Sequence, residues 1–539
     1  MDHGQKTYEF WIDSIAKKVV EREQRLNRGI DVIRTESGIG ASGIPHIGSM
    51  SDAARSFGIS LAIEDLGGKN EYIAFSDSLD GLRKVPSGMP DWLEKHIGQA
   101  VSDIPDPFGD CHKSYGDHMS GLLIDGLEKC GIKFKFISGA EFYRKGGLND
   151  QIGKILQNHA KVGQIIQKIT GQEKYLAQLP YFAVCENCGK IYTTQTQRVE
   201  GRKVHYRCDQ EFKGENKGNG KKIVVKGCGH EGSVDYTKGQ GKLAWKVDFA
   251  ARWAALKISF EAYGKDIEES VKVNDAVCRE VLGFEPPVHV MYELFLEKGG
   301  RKISKSFGNV FTPQVWLEYG TPQSLMLLMY KRFQGARELD VTDIPKYMDE
   351  VNHLAKIYFK MEEVGDREMS NMTRLFEYIN FLRPPKSGGV MIPYSVVTEL
   401  AKILPEKDYE DFAIERLTEF GYLGNSSSDS ERRSAMRMVE FGRKWINDFE
   451  KPQMLDVAVK GEENRAAIRE LIDAINEINE ADALQNEIFE IAKRNNIKTV
   501  AMFRAVYRIL LGADRGPRLG AYILERGKAE VIEKLKSAI

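Results

Sequence analysis

The sequence has no apolar run near the ~20 residues needed to cross a bilayer, so a membrane-spanning helix is not expected. The opening segment, MDHGQKTYEFWIDSIAKKVV, holds no apolar core followed by a small-residue cleavage site. That argues against a secretory signal and makes a cytoplasmic enzyme the expectation. Net charge is equally scarce: 77 basic and 78 acidic residues leave −1. This excludes the pervasive basic bias of a protein that coats nucleic acid, although a local basic face still suffices for phosphate contacts. Internal repeats and heptad arrays are absent; the sequence leaves the oligomeric state open, a monomer being plausible. Cysteine is sparse, seven in 539 residues.

What is present fits an ordinary globular chain, 42% hydrophobic and 29% charged. Its length calls for several domains, because a single core stops growing well below this size. Residues 5–28 pattern as an amphipathic helix. The short β-branched segment 29–35 reads as a buried strand that breaks at the run Glu36 to Gly43. A helix from about His46 to Asp65 and a strand Tyr72–Phe75 complete a βαβ unit, which predicts a parallel sheet with helices on both faces. A further helix is expected near 117–130, a strand at 134–137 and helix over 148–170. From about 180 to 240 cysteine, glycine and lysine dominate, including the flexible-looking string GENKGNGKK at 214–222. The α/β pattern returns at Gly241. Beyond 320 strand signals are scarce.

Two motifs carry chemistry. Ser42-Gly43-Ile44-Pro45-His46-Ile47-Gly48-Ser49 lies where the first strand turns into a helix. Backbone N–H groups and the helix dipole favour a phosphate there. Gly43 and Gly48 permit close approach of the nucleotide, and His46 can donate to a phosphate oxygen. The second motif is Arg301-Lys302-Ile303-Ser304-Lys305-Ser306-Phe307-Gly308-Asn309. Two lysines separated by serine form a cationic clamp suited to a pyrophosphate leaving group, whose charge grows in the transition state. The plain alternatives are a glycine turn with a surface histidine and a solvated basic loop.

Together the two strings resemble the paired nucleotide motifs of the class I aminoacyl-tRNA synthetases. The resemblance implies a Rossmann-type parallel-sheet catalytic domain of the α/β class that binds ATP with Mg²⁺, forms an aminoacyl-adenylate and passes it to tRNA. It gives catalytic roles to His46, Lys302 and Lys305, with Ser304 and Ser49 beside the nucleotide. The family's first motif reads His-Ile-Gly-His; here Ser49 replaces the second histidine, and a hydroxyl can donate a hydrogen bond but carries no charge. Further strings are similar to the class I lysyl-tRNA synthetases: Asp80 to Pro86, Ile104 to Gly109, Gly241 to Asp248 with Arg252-Trp253, Gly264-Lys265-Asp266, Tyr292 to Leu296 and Arg515 to Gly520. They imply L-lysine and tRNA(Lys) as partners. Gly264 and Asp266 match the family's ribose contact, where Asp266 would accept from the ribose hydroxyls. The family continues Lys-Asp-His, and here Ile267 stands instead.

Lysine recognition needs a carboxylate for the ε-ammonium and an apolar wall for the stem. Glu36 and Asp80 are the candidate carboxylates; Trp245 and Tyr292 are the candidate wall, with cation–π character. Cys185, Cys188, Cys208 and Cys228 form a knuckle suited to structural Zn²⁺, with His230 as an alternative ligand. Asp106, Cys111, His112 and His118 form a possible second site, Cys111 and His118 sharing a face if helical.

The organisation expected is therefore a first Rossmann half at 1–145, a zinc-bearing insert at 146–240, a second half with the lysine loop at 241–325, a helical stem-contact region at 326–400 and a helical anticodon-binding domain at 401–539. Lys331, Arg332, Arg337, Arg432, Arg433, Arg437, Arg443, Lys444, Arg504, Arg508, Arg515 and Arg518 give the helical end its basic character. Two rivals remain at this level: another nucleotidyl-transfer enzyme with a small acceptor, and a non-catalytic RNA-binding paralogue.

Overall fold

The first strand, β1 (Ile33–Ile39), continues through Glu36-Ser37-Gly38, where the sequence suggested a break. Small residues are tolerated here because β1 is paired on both sides, with β2 (Asn70–Ser76) and β4 (Ile258–Gly264). A central strand whose ladder is complete does not depend on the β propensity of each residue. The computed structural model describes residues 10–296, 311–332, 335–405, 409–449, 462–511 and 518–539.

With β3 (Lys135–Ser138) and β5 (Val288–Tyr292) the sheet is five-stranded and wholly parallel, in the order β5-β4-β1-β2-β3. The chain moves outward from β1 through β2 to β3, then returns to the other side of β1 as β4. The switch point lies between β1 and β4, and in such sheets the ligand crevice opens there, beyond the carboxyl ends of the strands.

Period-2 alternation sends the two faces to different partners. Tyr72 meets Phe57 of α2 (Ile47–Asp65), while Ile73 and Phe75 join a core with α4 (Trp245–Leu256) and α5 (Glu268–Glu280). Helix α1 (Trp11–Leu26) packs on α2, and α3 (Tyr115–Lys129) comes directly after the loop that carries the second metal candidate. Glu36 is in register with Ile73 on β2 and with Glu261 on β4, so its side chain falls on the α4 face.

The insert is not an autonomous body. Its three-stranded antiparallel sheet (Gln195–Glu200, Lys203–Arg207, Glu231–Asp235) contributes Val204, Tyr206 and Val234 to the same core as Phe75 and Trp253. The glycine–lysine string is an ordered hairpin, Glu211–Asn216 against Lys222–Lys226, and not the flexible segment its composition suggested. Asn216, buried at its turn, donates to Asp91 at 2.8 Å and Glu94 at 2.9 Å.

The chain divides into two units, Met1–Lys386 and Ser387–Ile539. The second is all-helical among the described residues, with a core built around Leu471, Ile488, Val506 and Ile523. No helix of the described residues is long and apolar enough to cross a membrane.

Candidate active site

His46 is the N-cap of α2, in extended backbone, and its Nδ1 accepts the Gly48 N–H at 3.0 Å. In the neutral ring that bond places the proton on Nε2, so the opposite edge is a donor. Gly48 is required by this arrangement: a Cβ there would lie 2.7 Å from the His46 ring. Ser49 and Asp52 lie further along the same helical face, and His46, Gly48, Ser49 and Asp52 all line a cleft of about 410 Å³. Gly43 is not in the lining. Its loop is held by Tyr115, whose hydroxyl donates to the Ser42 carbonyl at 3.1 Å.

The opposite flank is formed by β4 and the turn at its carboxyl end. Gly264 ends the strand, and a Cβ on it would meet the Asp266 carboxylate at 2.8 Å and Leu294 at 3.1 Å. Its lack of a side chain lets Asp266 fold back along the cleft. Ile267 lines the cleft as well. Lys302, Ser304 and Lys305 lie outside the described residues. The chain enters that segment beyond Phe295, which lines the cleft, and leaves it at Phe311, whose carbonyl accepts the Ile47 N–H at 2.9 Å. Phe311, the first described residue after that segment, is thus hydrogen-bonded to the start of α2.

The floor is a nest of carboxylates around one guanidinium. Arg252 Nε lies 3.1 Å from Glu36, its Nη1 donates to Asp77 at 3.0 Å, and Glu261 and Asp248 stand at 3.7 and 3.9 Å. Both Glu36 and Arg252 are 0% exposed, so these charges act through a medium far less screening than water. The four acids arrive from β1, the end of β2, α4 and β4. Register places Glu36 and Glu261 side by side, a pairing of acids whose repulsion the shared cation reduces. Tyr143 donates to Asp248 and the Trp253 indole donates to Glu261. Burial, only partly offset by Arg252, pushes the Glu36 carboxyl up to about 8 and the Glu261 carboxyl up to about 7.

The four candidate lysine contacts separate. Trp245 and Tyr292 line the cleft. Trp245 packs edge-on against Phe249 at 4.5 Å; the Tyr292 hydroxyl donates to Asp52, with the buried Arg55 guanidinium 4.4 Å over its ring. Glu36 is not in the lining: it sits behind Arg252, while Asp77 and Glu261 present the acidic surface. Asp80 is committed elsewhere. Tyr192 donates to it at 2.7 Å and Lys242 at 3.3 Å, which pins the insert to the catalytic sheet and holds the Asp80 carboxyl below its ordinary value despite burial.

The sulfurs of Cys185, Cys188, Cys208 and Cys228 converge, with Cys185–Cys228 and Cys188–Cys208 each 3.7 Å apart. Zn–S bonds of about 2.3 Å in a tetrahedron demand S···S separations of roughly 3.8 Å, so this donor set fits zinc. His230 is not among the converging ligands. In the second cluster, Cys111 Sγ lies 3.2 Å from His112 Nδ1, 3.3 Å from His118 Nδ1 and 3.2 Å from Asp106. Only His118 is on α3. Cys111 and His112 belong to the turn before it, so the ligands meet through a loop and not along one helical face.

Asp52, Asp77, Arg252, Glu261 and His289 are cleft residues that spacing did not single out. Asp52, three residues after Ser49 on a helix whose start was legible, carried a signal in its spacing, and Arg252 lay within the Arg252-Trp253 string.

The family model "tRNA synthetases class I (K)" matches residues 9–381. A lysine–tRNA ligase of Cenarchaeum symbiosum is 45% identical over 532 residues, covering 98% of each chain. One from Rickettsia bellii is 30% identical over 539 residues, again covering 98% of both.

Proposed function

The chain belongs to the class I tRNA synthetases of the lysine (K) type, and from that premise we propose how its cleft performs the reaction of a lysine–tRNA ligase. The lysine carboxylate attacks the α-phosphorus of ATP, the bond to the β-phosphate breaks and pyrophosphate leaves. A terminal ribose hydroxyl of tRNA then attacks the adenylate carbonyl, giving lysyl-tRNA and AMP. Mg²⁺, when bound with ATP, would neutralise part of the phosphate charge. The protein contributes position and electrostatics: His46 Nε2, Ser49 and the α2 N-terminus face the phosphates, Gly264 and Asp266 hold the ribose, and Lys302, Ser304 and Lys305 accompany the leaving pyrophosphate.

The observation that carries the substrate choice is the surplus of buried acid beside the first motif: four carboxylates share one arginine. A neutral amino acid leaves that surplus unpaired, which is costly in a buried site, whereas lysine brings two ammonium groups and a four-carbon stem that Trp245 and Tyr292 can cover. Residues 401–539, within the helical unit 387–539, are assigned to the tRNA anticodon. ATP–pyrophosphate exchange across the twenty amino acids, with and without tRNA, tests this reading. Lysine alone should support exchange. Exchange with a different amino acid would overturn the substrate, and none with any would overturn the enzyme.

Gly48→Ala should displace the His46 ring, because the added methyl occupies its place. A misplacement of this size is expected to lower kcat/KM for exchange by about 10²-fold, with the fold intact by circular dichroism.

Zinc is assigned to both clusters, as structural metal at the four cysteines and as a second ion at Asp106, Cys111, His112 and His118. Elemental analysis should find about two zinc ions per chain. Cys188→Ser should lose one and lower Tm; Cys111→Ser should lose the other. A zinc content unchanged by Cys111→Ser would remove the second site.

A further inference from the structure

The Arg252 nest carries more acid than its one cation can balance, and its surroundings do not supply the difference. Glu36 is faced by Arg252 and Asp248 from α4, by Glu261 from β4 and by Asp77 beyond β2. Lys242, the other buried cation near Asp77, is engaged with Asp80. Arg55 of α2 lies over Tyr292, whose hydroxyl is bonded to Asp52, and Tyr72 of β2 is bonded to Ser37. Tyr143 and Trp253 are neutral donors to Asp248 and Glu261. His289 of β5 meets the Glu261 carbonyl at 3.1 Å and Asp275 at 3.0 Å, so it is turned to a carboxylate outside the nest. Both Glu36 carboxylate oxygens are buried without a well-formed hydrogen bond. An ionised carboxylate left so is expensive, and the usual relief is protonation.

Resting on the lysine reading above, we propose that substrate and proton compete for this nest: in the substrate-free enzyme one carboxyl of the group is protonated, and the lysine ammonium displaces that proton to solvent. The proton leaves as H⁺ taken up by buffer, and no other bond changes. Arg252 is a positioning residue: it gathers the acids, and the amino acid supplies the missing positive charge. Glu261 and Asp77, which reach the cleft surface, meet the ammonium, while Glu36 behind them shares the proton.

Proton competition fixes the direction of the pH effect. The carboxyls are raised in the folded, substrate-free protein, Glu36 to about 8 and Glu261 to about 7, and a cation lowers them. Lysine affinity therefore weakens as pH falls through that range, by up to about tenfold per pH unit where one full proton is exchanged. Stability of the free enzyme moves the other way. The folded state holds protons the unfolded chain has lost, so stability declines as pH rises from the ordinary carboxylate range to about 8 and then levels. Saturating lysine should flatten that decline.

The experiment is calorimetric titration of the full chain with lysine, with and without tRNA, in two buffers of different ionisation enthalpy. Release on the order of one proton per lysine is expected near pH 7, falling toward zero near pH 9. Glu36→Gln, which keeps the shape of the side chain, should cut the release by at least about half and flatten the pH dependence of affinity. Lysine binding with equal heats in both buffers, and an affinity independent of pH, would overturn the proton exchange while leaving the lysine reading intact. Binding of another amino acid and not lysine would overturn the reading itself.

Discussion

Arg252→Met should destabilise the catalytic unit by about 3–5 kcal/mol, the usual cost of leaving a buried charge without its partner. Methionine fills similar space, so the loss reports charge and not volume. Glu36, Asp77, Asp248 and Glu261 would then face one another with no cation between them. Part of that repulsion is relieved by proton uptake, which gives the variant a signature. Its deficit should be smallest in mild acid and grow as pH rises, because each acid must ionise against the others. Chemical denaturation at about pH 5.5 and 8 measures this. Adding Glu36→Gln to Arg252→Met should recover stability, since one of the competing charges is gone. A deficit below about 1 kcal/mol at both pH values would mean that the nest is not held by Arg252. Total stability is itself only about 5–15 kcal/mol, so the variant is expected to be only marginally folded in neutral buffer and to regain order with lysine.

Lys302→Ala or Lys305→Ala should lower kcat for lysine-dependent pyrophosphate exchange by about 10²–10³, or roughly 2.7–4 kcal/mol, the loss typical of one preorganised transition-state donor. The effect is expected at the upper end of that range. Ser49 stands where the family's first motif has a second histidine, so more of the developing phosphate charge falls to His46 and the two lysines. The loss should appear in kcat, with the KM for ATP little changed, because the clamp acts mainly on charge that builds during bond breaking. Unchanged exchange kinetics in both variants would remove the lysines from the mechanism. A matched rise in KM would recast them as ground-state binders.

Much of this was legible because it is local. His46-Ile47-Gly48-Ser49 announced a helix start, and the structure makes His46 the N-cap with Gly48 against its ring. The four cysteines were visible from spacing, and their sulfurs converge. The βαβ alternation implied a parallel sheet, which is present with five strands. Local reading ran out where a residue's surroundings come from distant neighbours. Glu36 looked like a loop acid beside a glycine turn, but the ladder on both sides carried β1 through it and buried it. Asp80 looked like a substrate carboxylate, but Lys242 and Tyr192, more than a hundred positions downstream, claim it. The glycine–lysine string looked flexible, but antiparallel pairing and the Asn216 contacts order it.

By itself, then, the sequence determined the family, the helix start capped by His46 and the cluster of four cysteines, because backbone turns, helix caps and short ligand spacings are encoded within a few residues. Only the tertiary structure decided which acids gather around Arg252 at the floor of the cleft. That choice depends on strand register and on one arginine reaching across elements from opposite ends of the catalytic domain. The energy of a buried charge is set by its spatial neighbours, and those are not adjacent in the chain.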